Sequence, residues 1–178
     1  MLNIAPQQSN LLPEPKCKRF FRNCGEFSLC VNIGEGGYIL VEQPINRTTI
    51  FYYGLYGSGK FGRIFESDHI ILDAKDKKVV DVSDYVHDKI IFEALSDFYI
   101  IGFNTFNKEW KWTANLLTYE NKEFQTSFHR AYLVIVSKNI SINGKLMKRY
   151  DYSHLEPDKI YELDIPKDSA AIVFTRIK

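Results

Sequence analysis

"ISINGKLM", residues 140–147, places Asn143-Gly144 between two short arms in which apolar and polar residues alternate. This dipeptide is the preferred two-residue hairpin turn, because both central residues need positive φ. A hairpin requires antiparallel strands around it, and the flanks supply them. Upstream lies "HRAYLVIVSKN" (129–139); downstream come "KIYELDI" (159–165) and "AAIVFTRI" (170–177). Pro166 in "PKDSAAIVF" falls where a strand has just ended, a position that tolerates a missing N–H.

The same texture extends back to residue 26. The runs "EFSLCVNI" (26–33), "GYILVEQ" (37–43), "RTTIFYYGLYG" (47–57), "GRIFES" (62–67), "HIILDA" (69–74), "KVVDVSDY" (78–85), "KIIFEAL" (89–95), "DFYIIGFNTF" (97–106) and "WKWTANLLTY" (110–119) are rich in β-branched and aromatic residues. Turn signals separate them about every eight to twelve residues, the spacing of an all-β sandwich or barrel. No window sustains the i, i+3, i+4, i+7 stripe of an amphipathic helix. The best helical candidates are "SDYVHDKIIFEAL" (83–95) and "WKWTANLLTY" (110–119), and both are short. Residues 1–24 differ: Pro6, Pro13 and Pro15 forbid a long regular element. They read as an extended, irregular arm, suited to crossing the surface of a second subunit, ahead of a single domain over 25–178.

At 178 residues, 45% apolar and 15% aromatic, the chain buries a sizeable core. A net charge of +1 offers no global field for nucleic acid or an acidic membrane surface. "MLNIAPQQSNLLPEPKCKRFF" (1–21) is not a secretory signal, and nowhere do about eighteen apolar residues run together to span a membrane. Cys17, Cys24 and Cys30 are odd in number and widely spaced. They fit neither a disulfide framework nor a metal knuckle, and read as reduced thiols in the cytoplasm.

"GLYGSGKFGR" (54–63) imitates a phosphate-binding loop, with Gly54, Gly59 and Lys60 on the pattern G-x-x-x-x-G-K-[ST]. Phe61 stands where the magnesium-binding hydroxyl belongs. The stretch that follows alternates like a strand, so no helix presents its positive end to an anion. A glycine-rich β-turn explains the residues better.

Other chemistry has little foothold. His69, His87, His129 and His154 show no i, i+2 or i, i+4 pairing; His69, His87, His129 and Glu93 form a metal site only if the fold gathers them. Ser-His-Asp catalysis lacks a nucleophile elbow. The aromatic clusters "FYYGLY" (51–56) and "EWKWT" (109–113) stand out. Strand parity puts Phe51 and Tyr53 on one face and Tyr52 on the other, and pairs Trp110 with Trp112. Exposed, such rings stack on a sugar; buried, they are core.

Residues 129–178 resemble the closing strands of a cupin, the RmlC-like jelly roll. "YLVIVSKNISING" (132–144) carries the family's glycine-and-turn phrase, and "LEPDKIYELDIPKDSAAIVFTR" (155–176) turns, pairs back and ends on an apolar strand. Lys138 and Asp158 stand where that phrase often has glycine. The family's H-x-H with a downstream Glu, and its later His, are missing. The resemblance therefore implies an all-β, cupin-like jelly-roll barrel or sandwich, without metal or other cofactor. In such relatives the mouth of the barrel takes a sugar or another small polar ligand, so the leading expectation is a non-catalytic binding module. Ring chemistry and strand parity, not the resemblance, single out Tyr53, Tyr99, Trp112 and His129 as the inward-facing candidates. An alternative is a structural protein of the jelly-roll shell or fibre kind, working as a homo-oligomer or against another protein. Sugar epimerases and isomerases of this fold use a His base and a Tyr acid; His87 or His129 with a nearby Tyr would serve, though no motif ties them together.

Overall fold

The structure is a computed structural model that describes residues 14–42, 49–63, 66–85, 89–107, 109–121 and 123–177. Its first half comprises β1 (Cys17–Asn23), β2 (Phe27–Gly34), β3 (Ile39–Glu42), β4 (Thr49–Tyr56), β5 (Ser58–Arg63), β6 (His69–Asp73), β7 (Val79–Asp81), β8 (Ile90–Ala94) and β9 (Phe98–Thr105). The second comprises β10 (Trp112–Leu117), β11 (Glu123–Gln125), β12 (Ala131–Ile135), β13 (Ile140–Ile142), β14 (Lys145–Met147), β15 (Tyr152–Leu155), β16 (Ile160–Asp164) and β17 (Ala171–Arg176).

Four antiparallel sheets result, in the orders β1-β2-β9-β4-β7, β3-β8-β5-β6, β10-β17-β12-β15 and β11-β16-β13-β14. Side-chain parity stacks them into four layers. On β4, Ile50 and Tyr52 point into a core shared with Phe61, Leu72 and Phe92 of the β3-β8-β5-β6 sheet. Phe51 and Tyr53 point the other way, into a core shared with Trp112, Tyr132, Val134 and Phe174. The second half repeats the scheme: Ala131, Leu133 and Ile135 of β12 face Ile140, Ile142 and Leu163. Each half is thus a sandwich with its own core, and a third core glues the two inner sheets back to back. Residues 25–178, read as one jelly-roll domain, thus form two stacked sandwiches joined by a shared core.

Two readings are corrected. Part of the arm over 1–24 is regular: β1 pairs along its whole length with β2, from Cys17↔Gly34 to Asn23↔Ser28; residues 1–13 lie outside the described residues. Neither helical candidate forms an α-helix: Ser83–Tyr85 is a 3-10 turn, residues 86–88 lie outside the described residues, and the rest supplies β8 and β10, as the strand reading of the same runs expects. Ile90, Phe92 and Ala94 alternate into the first core on β8, and 110–119 contributes β10. Period-two burial decides these segments, and among the described residues the only helical turns are short 3-10 pieces at Ala74–Asp76 and Ser83–Tyr85. No helix of the described residues is long and apolar enough to cross a membrane.

The Asn143-Gly144 turn forms as read, with φ of +47° and +79° and Ile142 opposite Lys145. The glycine-rich stretch is a strand-to-strand switch: β4 ends in the inner sheet, and Gly57 at φ +73° turns the chain into β5 of the outer sheet. A Cβ on Gly57 would sit 1.8 Å from the Asp97 carbonyl oxygen, so only glycine fits there. Lys60 lies on β5 and pairs with Glu93, 2.9 Å away.

Candidate functional site

The switch that replaces a phosphate loop also shapes a cleft. The β4–β9 register shifts between Gly54 and Tyr56, which lifts the end of β4 away from its neighbour. Gly54 lacks the Cβ that would crowd Ala74, whose Cα is 3.2 Å from that position, so the 3-10 turn packs close. Tyr53, Gly54, Leu55, Ala74 and Lys77 form one wall. The second half supplies the other, with Leu116, residues 118–121, Ser137 and residues 167–170. The enclosed volume is about 630 Å³, a size typical of small-molecule sites.

The cleft mixes donors and acceptors. Lys77 and Lys167 bring cations, Glu120 and Asp168 carboxylates, and Asn121 an amide. Ser137 Oγ accepts a hydrogen bond from the Ala170 backbone N–H at 2.6 Å and fixes the start of β17. Beside it the Ser169 hydroxyl is buried without a hydrogen-bond partner among the described residues. Burial pushes the Tyr53 phenol above its ordinary pKa, so it stays a neutral donor at physiological pH.

Of the four candidate ligand residues, the structure brings only Tyr53 to this cleft. Tyr99 is half-buried and lines an apolar groove on the β1–β2 side of the shared core. Trp112 is 5% exposed and packs between Trp110 and Tyr132, at ring-centroid distances of 6.5 and 6.1 Å. His129 is exposed at a bend ahead of β12. Parity was enough to sort the faces of β4; it did not reveal that the outward face of an inner sheet is covered by a second sandwich. Lys77, Glu120, Lys167, Asp168 and Ser169 sit in turns between strands, where no sequence period points at a common site.

Both sandwich interiors are filled with packed apolar side chains, including Phe61, Phe92 and Phe98 in the first and Leu133, Ile135 and Leu163 in the second. The polar volume described above lies outside both interiors, in the cleft between the halves. The residues do not fit the metal of metal-bearing cupins. Among the described residues no group of three His, Cys, Asp or Glu side chains could hold an ion. His69 is exposed on β6, Glu93 pairs with Lys60, and His87 lies outside the described residues. The polar cluster that does form is structural. Arg19 Nε donates to Asn32 Oδ1 at 2.9 Å, Asn32 Nδ2 donates to Cys30 Sγ at 3.4 Å, and Arg19 forms an ion pair with Glu42. It ties edge strand β1 to edge strand β3 and closes the seam of the first sandwich. All three cysteines are unpaired, and burial raises each thiol's pKa.

No family model and no curated protein matches the chain. Solved structures do match along nearly its whole length. YhaK from Escherichia coli superposes with a TM-score of 0.64 at 11% identity, over 89% of this chain and 93% of that one. YhhW from Escherichia coli gives 0.58 at 11%, over 91% and 97%. The cupin 2 conserved barrel domain protein from Leptotrichia buccalis gives 0.50 at 10%, over 93% and 89%. The fold is that of the cupins, with structural matches that cover 89% to 93% of this chain.

Proposed function

We propose that this chain is a non-catalytic, cupin-fold binding module whose cleft between the halves takes a small polar ligand, with a carbohydrate as the best-fitting class. One observation carries the reading: a volume of about 630 Å³ bounded by Lys77, Glu120, Lys167, Asp168 and the Tyr53 phenol. A sugar hydroxyl is both donor and acceptor, so it is matched by a site that alternates ammonium and amide donors with carboxylate acceptors. Among the described residues, the cleft contains no histidine or cysteine to act as base or nucleophile. We place the protein in the cytoplasm, on the strength of its unpaired thiols.

The test is calorimetric titration with glucose, galactose, N-acetylglucosamine and glucuronate, on the natural chain and on the double variant Glu120→Gln/Asp168→Asn. Saturable binding of at least one sugar, weakened about tenfold or more in the variant, is the expected result. Binding that ignores the variant, or no binding across the panel, removes the carbohydrate reading. A second reading, assembly through subunit contacts, is favoured by the outer face of the β3-β8-β5-β6 sheet, where Ile39, Val41 and Ile71 are 58%, 54% and 47% exposed. Native mass spectrometry decides it: a symmetric oligomer supports assembly, and a monomer at high concentration rules it out.

A further inference from the structure

The apolar groove on the β1–β2 side shares no residue with the polar cleft, and its chemistry differs. We propose that it binds a free amphipathic organic anion, a medium-chain fatty acid or an aryl carboxylate. The apolar body would lie on β2 and β9, and the anionic head would meet Arg22 and Arg149.

The groove encloses about 470 Å³, again within the range of small-molecule sites. Leu29, Val31 and Ile33 of β2 project from the face that, further along, is covered by the second sandwich. At this corner the second half contributes the turn that carries Arg149 and Tyr150, which precedes β15 and bonds to Ile135 at the end of β12. Apolar surface is left open: Phe20, Phe21 and Ile33 are 57%, 62% and 40% exposed.

Charge identifies the occupant. Among the described arginines, Arg19, Arg63, Arg130 and Arg176 each pair with a carboxylate. The two with no acidic partner among the described residues, Arg22 and Arg149, both line this groove. They also flank one residue. Arg22 Nη1 donates to the Tyr150 carbonyl at 2.8 Å, and the Arg149 guanidinium lies 6.0 Å from the centre of the Tyr150 ring. Two uncompensated guanidinium forks beside an apolar floor suit a carboxylate on a hydrophobic tail, since the fork matches a carboxylate's two oxygens. A wholly apolar ligand would bring neither guanidinium a carboxylate and leave them only their carbonyl and ring contacts, the Tyr152 ring at 5.4 Å from Arg22 among them.

The rim is held in place before any ligand arrives. Tyr150 sits at φ +69°, in the left-handed region that a tyrosine rarely adopts. Its N–H donates to the Ile135 carbonyl at 2.7 Å, while its own carbonyl accepts from Arg22. Arg149 Nε donates to the Ser137 carbonyl, which fixes that side chain's root. Unfavourable backbone held by several hydrogen bonds is a common mark of a site shaped in advance.

The experiment uses the full chain and 8-anilino-1-naphthalenesulfonate, an aryl sulfonate whose fluorescence rises in apolar surroundings. The probe is displaced with decanoate and, separately, with the uncharged decanol. The expected result is saturable binding at one site per chain, with decanoate displacing the probe about tenfold more effectively than decanol. Arg22→Gln/Arg149→Gln and, independently, Ile33→Glu should each weaken binding by about tenfold or more. Ile33 is exposed enough that its variant keeps the fold, which circular dichroism verifies. Asp168→Asn, in the other cleft, should leave probe binding unchanged, so this proposal and the carbohydrate reading fail separately. The proposal is overturned by non-saturable binding, by decanol matching decanoate, or by arginine and Ile33 variants that bind normally. It is also overturned if binding falls as the protein self-associates, since the groove then belongs to a second copy.

Discussion

Asp158 takes the left-handed turn between β15 and β16 at φ +53°. In the cupin phrase a glycine often stands at this point, and the aspartate looks like a departure in the sequence. Physically it is a substitution within the same role. Aspartate is one of the few residues with a side chain that visits this region readily, because its short carboxylate bonds locally. Here Gln125 Nε2 donates to Asp158 Oδ1 at 3.3 Å, which adds a tie across the turn. Asp158→Gly should therefore leave the denaturation midpoint nearly unchanged. Asp158→Val, which puts a β-branched side chain at positive φ, should cost about 1–2 kcal/mol. Urea unfolding of the two variants checks this, and equal losses would mean that φ at the turn is not what limits the choice of residue. Residue-level chemistry was less legible elsewhere. The Arg19–Asn32–Glu42 seam joins three strands whose positions follow no motif, and nothing short of the pairing of β1 with β2 brings them together.

Strands carry more information in their texture than the alternation rule alone extracts. "KIYELDI" alternates, and β16 has one buried face; "AYLVI" is apolar throughout, and every residue of β12 is buried. Uninterrupted runs mark strands buried on both sides, as happens in the middle layers of a stack. That signal was present in "AYLVIV", "AAIVF" and "TTIFYY" and distinguishes inner from outer sheets. Strand existence was thus legible from residue 26 onward, and so were the Asn143-Gly144 turn and the two faces of β4. The doubling of the sandwich was written in the same runs, but it needs the inference that a two-sided strand has a second sheet to meet. β17 shows what depends on this. Ala171 and Val173 feed the second core, while Ile172 and Phe174 feed the shared one. Phe174 gathers rings from the first half, with Phe103 at 4.4 Å, Phe27 at 5.7 Å and Phe51 at 5.9 Å. Phe174→Ala should destabilise the protein by about 3–5 kcal/mol, the range for a large buried ring. Calorimetric melting measures it; a loss below about 1 kcal/mol would show that the shared core contributes little to stability.

At the scale of the whole molecule, the question is whether the halves are one cooperative unit or two domains in contact. Each has a private core, which argues that either could stand alone. The shared core argues the reverse. Phe27, Leu29, Val31, Phe51, Ile101 and Phe103 on one side meet Trp112, Tyr132, Val134, Ile172 and Phe174 on the other, all of them buried. Separating the halves would expose two aromatic-rich sheet faces to water, a penalty that grows with the apolar area uncovered. It would also dismantle both candidate sites, since each takes lining residues from both halves. The chain contains two tryptophans, Trp110 and Trp112, and both pack in this shared layer. Their fluorescence therefore reports on the junction, while far-ultraviolet circular dichroism reports on all the sheets. In urea the two signals should fall together in one transition, because two-state unfolding makes different probes coincide. Fluorescence changing first would mean that the halves part before they melt. The cleft and the groove would then open as the halves separate, and ligand affinity would follow the stability of the junction more closely than that of either sandwich.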